Sequence, residues 1–151
     1  MNRPVTARAA SNRRVASSAM AYTPRWTLAW VVSSYCRMAS STAIGRCEEA
    51  AEDQSADIID LRTLMPWDKD AILESVRRTH RCLIVHEDLR TGGFGAEIAA
   101  VVADEAFMNL DAPVTRVTMP DVPSPHIPSM MEWAVPSVSG IRAKIDELIA
   151  F

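Results

Sequence analysis

The stretch Cys82–Leu110, "CLIVHEDLRTGGFGAEIAAVVADEAFMNL", decides how the chain folds. It opens on a short apolar run, "CLIVHE", and passes through three of the chain's five glycines. It then enters "FGAEIAAVVADEAFMNL", where Phe94, Ile98, Val101 and Val102 form one apolar stripe. A short apolar run bounded by polar signals is a strand, and a stripe at helical spacing is an amphipathic helix. The unit reads as strand, glycine turn, helix, with Asn109 placed to help end the helix. "ADIIDL" (Ala56–Leu61) and "VTRVTM" (Val114–Met119) have the same strand character. Ahead of the central stretch, "WDKDAILESVRRT" carries Ile72, Leu73 and Val76 on one helical face, and Asp68 or Asp70 can cap its start. Strands alternating with helices predict parallel pairing through crossover helices on both faces of the sheet. The fold class is therefore α/β, three layers of α/β/α around a mostly parallel sheet.

Working outward, "SVSGIRAKIDELIAF" places Val138, Ile141, Ile145, Leu148 and Ile149 on one side, predicting a final amphipathic helix. Its Gly140 weakens the helix start by about 1 kcal/mol relative to alanine. Upstream, "WTLAWVVSS" (Trp26–Ser34) reads as a first strand and "TAIGRCEEAAEDQ" (Thr42–Gln54) as the helix after it, interrupted by Gly45. The segment "MPDVPSPHIPSMMEWAVPS" (Met119–Ser137) carries five prolines, which excludes regular helix and central strand. It is expected to be an ordered surface loop anchored by Met119, Ile127, Met130, Met131 and Trp133.

The 151 residues, 48% of them hydrophobic, suffice for one domain with a sizeable core. No apolar run approaches the roughly 18 residues of a membrane span. The net charge of -3 conceals an asymmetry: residues 1–47 hold seven of the sixteen basic side chains and none of the nineteen acidic ones, leaving 9 - 19 = -10 for the rest. Residues 1–26 form a basic leader with the composition of an organelle transit peptide. A disordered leader or badly defined start is the favoured reading of that composition, and a salt-sensitive nucleic-acid arm is a third. The expected location is the cytoplasm for a bacterial chain and the mitochondrial matrix if the leader is a transit peptide. Neither nucleic acid nor membrane is an expected partner of the domain. Cys36, Cys47 and Cys82 are odd in number and lack C-x-x-C spacing, so neither a disulfide framework nor a zinc site is indicated.

The glycine turn invites a nucleotide reading that its details oppose. From Gly93 the frame is G-F-G-A-E-I, with Ile98 where a dinucleotide fingerprint needs its third glycine. Glu97 would stand in the first turn of the helix and repel a phosphate. His86, beside Glu87 and Asp88 at the carboxyl end of a strand, can be a general base or a structural histidine hydrogen-bonded at the strand end. The structural role is favoured because no nucleophile accompanies it. His80 and His126 read as structural or solvated. There is no P-loop and no nucleophile elbow, and no catalytic, cofactor-binding or metal-ligating residue is assigned.

Residues 56–151 nevertheless carry a family's motifs in order: "IDLRTLMPWD", "VHEDLRTGGFGAEIA", "LDAPVTRVTMPDVPSPHIP" and "VPSVSGI". They resemble the C-terminal, transketolase C-terminal-like domain of the β subunit of thiamine-diphosphate-dependent 2-oxo acid dehydrogenases. The "TGGF" and "PHIP" variants lean toward the branched-chain members. The resemblance implies a domain over 27–151, with 27–55 poorly matched and "YCRM" (Tyr35–Met38) where a "YGRM"-like turn belongs. It implies an assembly and docking domain, truncated and not catalytic alone. The cofactor-activating glutamate and the α subunit's "GDG" motif have no counterpart here. No cofactor is expected on this chain by itself; thiamine diphosphate and magnesium belong to the full assembly. The implied partners are the dehydrogenase α subunit, a second β subunit and the binding domain of the acyltransferase, whose arginines would pair with Asp111 and the terminal carboxylate of Phe151. Two alternatives stay open: a shortened but working subunit of a branched-chain 2-oxo acid dehydrogenase, and a free-standing nucleotide-binding α/β domain. Under the family reading the glycines serve a tight turn and close helix packing.

Overall fold

In the computed structural model, which describes residues 28–33 and 40–151, the strand β3 (Cys82–Leu89) sends its side chains alternately into two cores. Around it the order is β1 (Leu28–Ser33), α1 (Ser40–Ala50), β2 (Ala56–Leu61) and α2 (Lys69–Thr79), then after β3 come α3 (Phe94–Glu105), β4 (Thr115–Met119), α4 (Pro128–Ala134) and α5 (Val138–Ile149). The basic leader, Cys36 and the "YCRM" turn lie outside the described residues. The four strands are all parallel in the order β2-β1-β3-β4, with Val31 of β1 in register with Ile59 and Ile84 on either side. Leu83 and Val85 meet Ala43, Cys47, Ile141 and Ile145 from α1 and α5. Cys82 and Ile84 meet Ile72, Val76, Ile98 and Val102 from α2 and α3. The three layers follow: a parallel sheet covered on both faces must be apolar on both, and β3, buried from Cys82 to His86, is. Each fully buried aliphatic side chain contributes about 1.5–3 kcal/mol.

Local signals set several boundaries. Asp68 caps α2 by accepting from the Ala71 N–H at 3.1 Å, and Ser137 caps α5 by accepting from the Gly140 N–H at 3.1 Å. The helix expected over Thr42–Gln54 instead spans Ser40–Ala50, and residues 51–54 turn back toward β2. The helix expected to end near Asn109 stops at Glu105. A separate 3-10 turn, Phe107–Asn109, follows, because Ala106 leaves helical geometry after its N–H bonds the Val102 carbonyl.

The proline-rich segment departs furthest from expectation. It contains a helix, α4, which Pro128 starts, since proline is tolerated in a first turn where its missing N–H has no partner to lose. Its supposed anchors also fail: Ile127, Met130, Met131 and Trp133 are exposed, and Met119 is only half-buried. The segment is held by buried Pro125, Ala134 and Pro136 and by Arg46, which bonds the Pro136 carbonyl and both carboxylate oxygens of Glu132 at 2.8 Å.

Candidate functional site

The carboxyl end of β3 is built around an imidazole and the space two glycines leave for it. A Cβ on Gly95 would lie 2.4 Å from His86 Nε2, and one on Gly93 would lie 2.3 Å from the Leu89 carbonyl oxygen. Gly92 supplies the turn itself, at φ +75°. His86 is 1% exposed, and neither ring nitrogen has a hydrogen-bond partner. The strand-end hydrogen bond expected of a structural histidine is therefore absent. Burial lowers the pKa of His86, with Arg116 adding to that and Asp88 opposing it. The ring lies sealed beneath α3, against Gly93 and Gly95.

The turn also carries its own anion. Asp121 accepts from the Thr91 backbone N–H at 2.8 Å and from the Thr91 hydroxyl at 2.7 Å, and these bonds lower its pKa. With Glu97 in the first turn of α3, this end does not fit a diphosphate. Cys47 and Cys82 are buried, which pushes both thiols up to about 12 and leaves them inert. Among the described residues no cluster of His, Cys, Asp and Glu suits a metal ion, and no helix is long and apolar enough to cross a membrane.

The opposite, amino-terminal edge of the sheet gathers the sites expected to meet a partner. Asp111 is exposed in the connection between the 3-10 turn and β4, and its backbone N–H donates to the His80 carbonyl at 2.8 Å. The next residue, Arg81, reaches the Leu148 carbonyl at 2.8 Å in the last turn of α5, three residues before the exposed Phe151. Asp111 and the Phe151 end are thus tied to consecutive residues at the start of β3. Sequence reasoning missed two neighbours. Phe107 and Met108 are 66% and 90% exposed on the 3-10 turn that follows α3. The "FMN" break after an alanine is the only local signal for them. A second apolar group, Ile127, Met130, Met131 and Trp133, lies on and before α4.

Residues 38–141 match the family described as Transketolase, C-terminal domain. The chain is 54% identical over 76 residues to 2-oxoisovalerate dehydrogenase subunit beta 2, mitochondrial, of Arabidopsis thaliana, covering 50% of this chain and 21% of that protein. It is 48% identical over 89 residues to the 2-oxoisovalerate dehydrogenase subunit beta of Pseudomonas aeruginosa, covering 57% of this chain and 25% of that one. The Bacillus subtilis subunit beta is 37% identical over 98 residues, covering 64% and 30%. The chain therefore spans well under half the length of these relatives. Among solved structures, "Split gene transketolase, inactive beta4 tetramer" superposes with a TM-score of 0.63 at 21% identity, covering 83% of this chain and 40% of that one, a likeness of fold alone. With the three-layer parallel sheet and a match over residues 38–141, the chain belongs to the transketolase C-terminal domain family.

Proposed function

We propose that this domain is the C-terminal assembly and docking domain of a branched-chain 2-oxo acid dehydrogenase β subunit. The observation that carries the reading is the 37–54% identity to 2-oxoisovalerate dehydrogenase β subunits. The domain acts through contacts with a dehydrogenase α subunit, a second β subunit and the acyltransferase's basic binding domain. Oxidative decarboxylation takes place in the complete assembly, where thiamine diphosphate and magnesium are held by other parts. The relatives include mitochondrial and bacterial proteins, and the location follows whichever lineage supplies the chain.

The docking site of this reading is the amino-terminal edge. Exposed Asp111, the Phe151 end with its carboxylate, and the apolar pair Phe107 and Met108 offer a basic module both charge and contact area. Carboxylates orient guanidinium groups by paired hydrogen bonds, and flanking apolar side chains exclude water from those bonds. Replacing Asp111 with alanine is expected to weaken binding of the acyltransferase's binding domain about tenfold, or ~1.4 kcal/mol, in isothermal titration. Unchanged affinity would remove Asp111 from the site.

A further inference from the structure

The docking reading names the groups that touch a partner; the backbone around them shows how they are held. His80 follows the last turn of α2 with φ 61°, a left-handed conformation unusual for a residue with a side chain. Its N–H closes α2 by donating to the Val76 carbonyl at 2.8 Å. Buried Thr79 bonds the Ser75 carbonyl at 2.8 Å and the Arg81 carbonyl at 3.2 Å, fixing the turn from both sides. Two groups of His80 then face the same loop. Its carbonyl accepts the Asp111 N–H at 2.8 Å, and Nδ1 lies 2.8 Å from the Asn109 carbonyl oxygen. A carbonyl has no proton to give, so Nδ1 is the donor. The two bonds bracket Leu110 and fix the stretch that displays Met108 on one side and Asp111 on the other.

The neighbouring residue does the equivalent for α5. That helix has no basic residue in its last turn, and its final carbonyls need an outside donor. Arg81, 2% exposed, supplies one through Nε to the Leu148 carbonyl. We infer that His80 is a positioning residue of the docking edge, which holds Asp111 in register with the C-terminal turn of α5 through its continuity with Arg81. This rests on the docking reading above, and goes beyond it by naming a residue that touches no partner yet sets the spacing the partner meets.

The test uses the whole chain, titrated with the binding domain of the cognate acyltransferase, alongside amide hydrogen exchange of the free chain. His80→Gly keeps the left-handed backbone without strain and deletes the imidazole. It is expected to bind about three- to tenfold more weakly, the loss that one net hydrogen bond conveys, and to speed exchange at the Asp111 amide while leaving the β3 amides unchanged. His80→Asn, which tolerates the same conformation and offers an amide donor toward residue 109, is expected to recover part of both effects. Weakening by Asp111→Ala together with wild-type affinity in His80→Gly would overturn the positioning role while sparing the docking reading. Unaltered exchange at the Asp111 amide in His80→Gly would overturn it independently of any partner. If the wild-type chain fails to bind the domain at all, the docking reading falls and the inference with it.

Discussion

At Gly95, the absence of one carbon decides whether α3 can lie on its sheet. The helix approaches so closely that a methyl group would collide with the His86 ring at 2.4 Å, and the buried ring has nowhere to retreat. Gly95→Ala is therefore expected to destabilise the domain by about 1–3 kcal/mol, measured by urea denaturation, although alanine is the better helix former. His86 also predicts a pH dependence. Its pKa is lowered by burial from an ordinary 6.5, so the unfolded chain takes up a proton at a higher pH than the folded one. Stability present above pH 6.5 is lost as the pH falls toward the lowered folded value. Glu87 slopes the other way, because burial raises its pKa above 4.5 and stability is lost as the pH rises through the raised value. Comparing wild type with His86→Leu by denaturation from pH 7.5 to 5 isolates the histidine: the wild type is expected to lose stability relative to the variant as pH falls. Parallel curves would show that His86 does not titrate differently on folding.

The helices show a common device at the scale of elements. Neither α1 nor α5 has a basic residue in its last turn, and in each case an arginine from elsewhere bonds a terminal carbonyl. Arg142 of α5 reaches the Ala50 carbonyl at the end of α1 at 2.9 Å and also pairs with Asp53, while Arg81 reaches Leu148. Arg46 of α1 likewise bonds the Pro136 carbonyl just past α4. These caps join residues 67 to 92 positions apart, so a reading of helix ends by nearby signals does not find them. Intrinsic propensity remains a usable lever where packing is silent. Gly45 lies within α1, exposed, with nothing within 4 Å of where its Cβ would stand. Gly45→Ala is expected to stabilise the domain by about 0.5–1 kcal/mol in the same denaturation assay, opposite in sign to Gly95→Ala. The two glycines look alike in sequence, and only the distance to neighbouring atoms separates them.

At the scale of the whole molecule, the described residues expose apolar side chains beside Asp111 and around α4. One group is the Phe107 and Met108 pair beside Asp111; the other is the α4 group of Ile127, Met130, Met131 and Trp133. Exposed apolar clusters of this kind are characteristic of protein-protein contact. The purified domain alone is expected to self-associate with increasing concentration. Trp133→Lys is expected to shift it toward monomer in light scattering without changing its melting temperature, since Trp133 is 67% exposed and has little folded packing to lose. A concentration-independent monomer in the wild type would argue that α4 is not a contact surface by itself.

Legible in the sequence alone were the alternation of strands and helices from Ala56 onward, the apolar strand "CLIVHE" between two helical layers, a cap at Asp68 or Asp70, and the conformational use of the glycines. Each depends on residues within one or two turns of each other, or on a period that burial imposes. The tertiary structure decided the rest. It left His86 buried without a partner, ended α3 at Glu105, placed a helix between prolines, and joined Asp111 to the end of α5 through His80 and Arg81. Those features depend on which distant carbonyls and side chains meet when the sheet closes, and no local pattern encodes that meeting.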